Sequence, residues 1–205
     1  NANGATPPYS YHINNQAFVS SPVFSGLAAG TYQFIVRDTN QCLDTTSAIV
    51  YEPVALTLSY ASVDSVSCFG YSDGSVIGLG SGGTGVLNFS LDGANFQTSS
   101  TFANLPAGPI TLYIRDYNQC LATLDTTVPQ PSGVTASLTI DSVNCFSGQD
   151  GSIDVNANGG TPPYTYSIGG AYQSSASFQN LNAGAYTVNV LDQNNCLLTL
   201  TTDVF

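Results

Sequence analysis

The side chains that could do chemistry in this sequence are five cysteines, a set of turn aspartates and one histidine. The cysteines stand at Cys42, Cys68, Cys120, Cys145 and Cys196, with no Cys-x-x-Cys spacing, and His12 is the single histidine. A zinc site needs several such ligands converging, so zinc is disfavoured and disulfides are the expected use of these thiols. Catalysis finds no foothold: lysine is absent and no Ser/His/Asp set recurs. His12 aligns with Ser90 and Ser167 on what reads as an outward-facing strand position, which suits a surface histidine better than a base. Asp38, Asp116 and Asp192 each open an Asp-x-Asn turn and are weak calcium candidates. The competing role for them is an Asx turn, in which the carboxylate holds nearby backbone N–H groups. No cofactor is expected.

The spacing of these residues comes from repetition. Asn1-Ala-Asn-Gly-Ala-Thr-Pro-Pro-Tyr9 returns as Asn156-Ala-Asn-Gly-Gly-Thr-Pro-Pro-Tyr164, and Gly82-Gly83-Thr84 opens a degenerate middle copy. Cys68-Phe-Gly-Tyr-Ser-Asp-Gly-Ser75 matches Cys145-Phe-Ser-Gly-Gln-Asp-Gly-Ser152, and 145 − 68 = 77. Leu27-Ala-Ala-Gly30-Thr-Tyr32 recurs at Leu105 and Leu181, and the Asp-x-Asn-x-Cys close ends at Cys42, Cys120 and Cys196. Each full copy therefore owns an early and a late cysteine, and the first copy lacks its front. A period this long marks a tandem array of whole domains, and the sequence reads as a window on a longer one.

Two pairings of the cysteines stay open. Cys68–Cys120 and Cys145–Cys196 would close a loop inside each copy. A staggered Cys68–Cys196 bond would join neighbouring copies and leave a rigid rod. The within-copy pairing is the simpler, but in an immunoglobulin-like strand order the two turns it joins lie at opposite ends of the sandwich, whereas bridged Cα atoms must lie within about 7 Å. The sequence does not choose between them.

The elements that carry these turns read as β-strands. Thr187-Val-Asn-Val190, Thr111-Leu-Tyr-Ile114 and Ser152-Ile-Asp-Val155 alternate with period two, and Gly, Pro, Asn and Asp punctuate them every eight to twelve residues. This predicts an all-β fold of tandem immunoglobulin-like sandwich repeats, arranged as an elongated rod. The expected domains are a partial repeat at 1–53, lacking its N-terminal strands, and repeats at 54–130 and 131–205. Turns are expected at Phe69–Asp73 and Phe146–Asp150. The Leu-x-Ala-Gly-x-Tyr run suggests a tyrosine corner. The expected core comprises Tyr11, Ile13, Phe24, Leu27, Tyr32, Phe34 and Val36 in the first copy, with Tyr166, Ile168, Phe178, Leu181, Tyr186, Val188 and Val190 in the third.

In this register the chain resembles the SprB repeats of Bacteroidota surface proteins. The Cys-Phe-Gly-x-x-Asp-Gly-Ser opening, the Gly-Gly-Thr-Pro-Pro-Tyr-Thr-Tyr-Ser centre, the Leu-x-Ala-Gly-x-Tyr turn and the Asp-x-Asn-x-Cys close carry the likeness. The middle copy departs from it at Gly85–Phe89 and Pro109-Ile110. The resemblance implies type IX secretion and a cell-surface adhesin filament serving adhesion or gliding motility. Asp44-Thr45-Thr46, Asp64-Ser65-Val66, Asp125-Thr126-Thr127 and Asp141-Ser142-Val143 also resemble the O-glycosylation acceptor pattern of Bacteroidota. Thr45, Ser65, Thr126 and Ser142 are the candidate acceptors, and ordinary Ser/Thr-rich strand sequence is the competing explanation.

Thirteen acids against two arginines give a net charge of −11, with nothing basic to neutralise phosphate. Nucleic-acid binding is therefore excluded, and so is a polybasic membrane anchor. No stretch is apolar enough for membrane insertion. The expected partners are neighbouring repeats and an extracellular polysaccharide or substratum. Two other functions remain: a polysaccharide-binding module using Tyr9, Tyr11, Tyr164 and Tyr166, or the spacer of a secreted enzyme.

Overall fold

The computed structural model describes residues 4–145 and 148–205; Phe146 and Ser147, where the expected third-copy turn begins, lie outside them. The described residues are all-β, and no helix among them is long and apolar enough to cross a membrane. The chain divides into two compact units, Asn1–Ala55 and Leu56–Phe205.

The second unit holds the same sandwich twice. In the first instance β4 (Thr57–Asp64), β5 (Gly74–Ser81) and β7 (Thr101–Leu105) form one sheet, while β6 (Asn88–Ser90), β8 (Gly108–Arg115) and β9 (Leu121–Val128) form the other. β10 (Thr135–Asp141), β11 (Gly151–Asn158) and β13 (Ser177–Leu181) repeat the first sheet. β12 (Thr165–Ser167), β14 (Gly184–Leu191) and β15 (Leu197–Val204) repeat the second. All pairs are antiparallel, and the order 1-2-5 facing 3-6-7 in sandwich terms, with the fourth strand absent, is immunoglobulin-like. Period-two patterning sets the inward faces. In β14, Val188 and Val190 are fully buried, and they meet Ile153 and Val155 of β11 in one core with Tyr166 and Val204. Ile168, Phe178, Leu181 and Tyr186 pack around it half-buried.

The two cores divide their bulk between the sheets differently. In the middle copy two of the inward positions of β5 are Gly78 and Gly80, facing Leu112 and Ile114 of β8. A Cβ on Gly78 would lie 3.1 Å from Leu112 Cδ2, and one on Gly80 only 2.0 Å from Ile114 Cδ1. The third copy has Val155 and Ala157 there, opposite the smaller Val188 and Val190. Between Gly80–Ile114 and Ala157–Val190 the bulk lost on one sheet is recovered on the other, as close packing requires. The Asp-Gly-Ser motif has a steric cause too: a Cβ on Gly74 would sit 2.5 Å from Val128 Cγ1, and one on Gly151 2.7 Å from Val204 Cγ1.

The first unit contains one sheet, β1 (Ser10–Ile13), β2 (Gly30–Arg37) and β3 (Leu43–Val50). These strands correspond to β6-β8-β9. Of the seven expected core residues only Ile13 is buried; Tyr11, Phe24, Leu27, Tyr32, Phe34 and Val36 are half-exposed. The reason is that no second sheet covers them among the described residues of this unit. The tyrosine corner forms where a tyrosine is present. Tyr32 Oη donates to Ala28 O and Tyr186 Oη to Asn182 O, each at 2.9 Å. Ile110 takes that place in the middle copy.

Candidate functional site: a stapled junction

The late-cysteine turn is built on a buried carboxylate. Asp192 Oδ1 accepts N–H bonds from Asn194 and Cys196 at 2.9 Å, and its Oδ2 accepts from Thr161 at 2.8 Å. One side chain thus ties the Asp-x-Asn-x-Cys turn to the Gly-Gly-Thr turn. Asn195 takes a left-handed φ of 62° to present Cys196. The other copies repeat this scaffold. Asp116 accepts from Thr84 N at 2.9 Å and Cys120 N at 2.8 Å; Asp38 accepts from Thr6 N at 3.2 Å and Cys42 N at 2.8 Å. Burial pushes the Asp38 and Asp116 carboxyls up, but the backbone N–H groups outweigh it and hold both below the ordinary carboxylate value.

These three aspartates were the calcium candidates. Each stands in its own repeat with N–H donors on both oxygens, where a cation would need further oxygen ligands. No group of three or more His, Cys, Asp or Glu suited to a metal occurs among the described residues. The arrangement is that of an Asx turn.

The early-cysteine turn is held from the other direction. Asp73 accepts Ser67 N at 2.9 Å, Ser65 Oγ donates to Pro129 O at 3.0 Å, and Val66 N donates to the same carbonyl at 3.1 Å. Hydrogen bonds from the side chain and main chain of Ser67 hold Asp73 below its ordinary value. Val66 and Cys68 are buried. Gly70 N donates to Gln130 Oε1 at 3.3 Å, so the linker is part of the turn's support.

Cys68 and Cys196 are joined by a disulfide, with Cα atoms 5.6 Å apart. Asn194 Nδ2 adds a bond to Ser67 O at 3.1 Å. Pairing within each copy is therefore not what the structure contains: Cys120 and Cys145 are unpaired and exposed, as is Cys42. The cause is distance. The early turn bonds to Pro129, just after β9, whereas Cys120 lies just before β9. Eight residues of strand separate those ends by roughly 27 Å. The third copy is the same, with Val143 N donating to Phe205 O beyond β15.

Other candidates scatter. Thr45 is exposed on β3 and Ser142 is exposed, while the Ser65 hydroxyl is engaged at the junction and Thr126 is half-buried in β9. The two Asp-Thr-Thr runs are out of register, since Thr45 pairs with Ile35 but Thr126 with Ile110. Tyr166 is buried, and burial together with neighbouring Tyr164 raises its phenol. The tyrosines therefore make no open platform in the third copy. The outward-facing reading fails at this position: Ser90 and Ser167 are buried, with Ser90 Oγ accepting the Asp92 and Gly93 N–H groups and Ser167 Oγ that of Gly169. His12 is half-buried, with its Nδ1 buried and unpartnered among the described residues. Its Nε2 accepts from Asn15 N at 2.9 Å. Arg37 and Arg115 stack 4.0 Å over Phe18 and Phe96 of their own copies. The sequence signal for that pairing, a phenylalanine in the strand-to-strand loop only where the arginine is present, was visible but unread.

Residues 137–171 match the family model of the SprB repeat. The SprB-repeat match begins in β10 and runs past β12, covering the early turn and the Gly-Gly-Thr-Pro-Pro centre of the third copy. No curated protein matches the chain. Among solved structures it is similar to the N-terminal eight Ig domains of Down Syndrome Cell Adhesion Molecule, at 10% identity and a TM-score of 0.41 over 96% of this chain and 31% of that one. It is also similar to Sidekick-1 immunoglobulin domains 1–5, at 11% identity and a TM-score of 0.32 over 96% of this chain and 51% of that one. The chain thus spans about a third to a half of those two proteins.

Proposed function

We propose that the chain is a repetitive structural stalk of a cell-surface adhesin filament, non-enzymatic in itself, in which domains at 1–53, 54–130 and 131–205 follow one another along an elongated rod. The observation that carries this reading is the covalent junction: the bond between Cys68 and Cys196 joins two repeats, and all three copies rebuild the same late turn. The SprB-repeat match supports a role in surface adhesion or gliding motility, with export by a type IX route. The partners are then neighbouring repeats, with an extracellular polysaccharide or substratum met elsewhere on the filament. O-glycosylation at Thr45 and Ser142 suits their exposure.

Immunogold labelling of the producing cells with antibody against residues 131–205 tests the reading. Label along projections from the cell surface is expected. Label confined to the cytoplasm, or to a compact secreted enzyme, overturns it.

A further inference from the structure

We infer that Cys42, Cys120 and Cys145 are unfilled halves of the staple that Cys68 and Cys196 complete, each made to bond an early cysteine to a late one on another repeat of the same design. The inference rests on the array reading above and names the partner of each free thiol.

Both halves are already shaped for the bond. On the late side, Asp38 and Asp116 hold the Cys42 and Cys120 N–H groups at 2.8 Å, as Asp192 holds that of Cys196 at 2.9 Å. Gln41 and Gln119 share the left-handed φ of Asn195, at 66°, 69° and 62°. Asn194, which reaches across to Ser67 O, also bonds Thr161 Oγ1 at 3.3 Å; Asn40 makes the matching bond to Thr6 Oγ1 at 3.1 Å. The donor amide of the first copy is therefore aimed as in the filled junction. On the early side, Asp150 accepts Asn144 N as Asp73 accepts Ser67 N, and Val143 is tied to Phe205 O as Val66 is to Pro129 O.

Exposure separates filled halves from unfilled ones. Cys68 and Cys196 are 4% and 8% exposed, whereas Cys42, Cys120 and Cys145 are open to solvent. Among the described residues a burying partner exists for the first two only. The junction is also directional, since in it an early turn meets a late turn. Such a heterologous contact propagates head to tail rather than closing a dimer.

A second copy of this chain is the simplest donor of the complement, joining Cys145 of one molecule to Cys42 or Cys120 of the next. The chemistry needs a small disulfide as oxidant. The Cys145 thiolate attacks it, forming a mixed disulfide and releasing one small thiolate. The late-cysteine thiolate of the second copy then attacks the Cys145 sulfur, and the second small thiolate leaves. Two protein thiols are oxidised, and one small disulfide is reduced to two thiols that take up the two protons.

The test is incubation of the full chain with oxidised glutathione, followed by non-reducing peptide mapping, with the internal Cys68–Cys196 peptide as the control for oxidation. Intermolecular peptides joining Cys145 to Cys42 or Cys120 should exceed like-with-like pairs by roughly tenfold, because docked ends raise the effective concentration of the right partner. Cys145→Ser should abolish the oligomers. Pairs such as Cys145–Cys145 at equal yield, or no intermolecular bond while Cys68–Cys196 forms, overturn the inference. Either result leaves surface labelling of the filament untouched, so this failure and that of the stalk reading are separable.

Discussion

Cutting the staple should separate two modules that now resist unfolding as a pair. The bond closes a span of 128 residues. In the chain-entropy account a loop of that length destabilises the unfolded chain by about 5 kcal/mol, against roughly 4 for a 50-residue loop inside one repeat. The measurement is urea unfolding followed by tyrosine fluorescence, in a background where the exposed Cys42, Cys120 and Cys145 are serine. With a urea m-value of about 2 kcal/mol/M, the last transition should fall by roughly 2.5 M in Cys196→Ser. Reduced protein with both sulfurs intact should behave like the variant, which separates loss of the bond from loss of the buried thiol. Equal midpoints for the oxidised protein and Cys196→Ser would refute the reasoning, as would a Cys68–Cys120 peptide from the wild-type chain.

The complementary cores predict a compensating pair. Gly80→Ala, whose new Cβ would press on Ile114 Cδ1, should cost about 1–3 kcal/mol in thermal or urea unfolding, and adding Ile114→Val should recover most of it by recreating the third copy's pair. Acid should loosen the turns. Asp38, Asp73, Asp116 and Asp150 all have depressed folded-state carboxyls, so their stabilisation is whole above the unfolded value near 3.9 and fades as pH drops through the lower folded values. The melting temperature should therefore hold between pH 7 and pH 5 and fall below about pH 4, less steeply in Asp150→Asn. Under load, single-molecule stretching of the oxidised chain should lack about 430 Å of contour length that reduction restores, since the 128-residue span is bridged.

What the sequence made legible was whatever repeats. Period-two runs such as Thr187–Val190 located the strands, and the copies calibrated one another's turns. The tyrosine corner followed from six residues because its bond is local, from Tyr186 to a carbonyl four residues back. Three things resisted. Disulfide pairing depends on which ends of which sandwiches meet, a fact of topology that spacing alone leaves open. The burial of Ser90 and Ser167 was missed because period two was applied to the last residue of a three-residue strand, where the chain is about to turn and a hydroxyl is needed inside to hold it. The first copy's core was overestimated for a different reason: alternation marks the face that wants covering, and burial requires a second sheet to cover it.

The position of the staple bears on the load a stalk of the kind proposed above would have to survive. Tension applied at Leu56 and Phe205 enters along β4, reaches Cys68, and finds a covalent route to Cys196 before leaving along β15. The chain between those cysteines, which includes β5 through β14, is in parallel with that bond and carries no stretching load beyond it. A bridge inside each repeat would shield only its own 50 or so residues and would leave the linker Pro129–Gly133 in the load path. A staggered bridge bypasses the linker as well. Small sandwiches bury limited cores, so a bond that routes force around them relieves the demand on their packing. The stagger thus makes mechanical strength a property of the junctions, so the cores are free to vary, as the Gly80–Ile114 and Ala157–Val190 exchange shows they have.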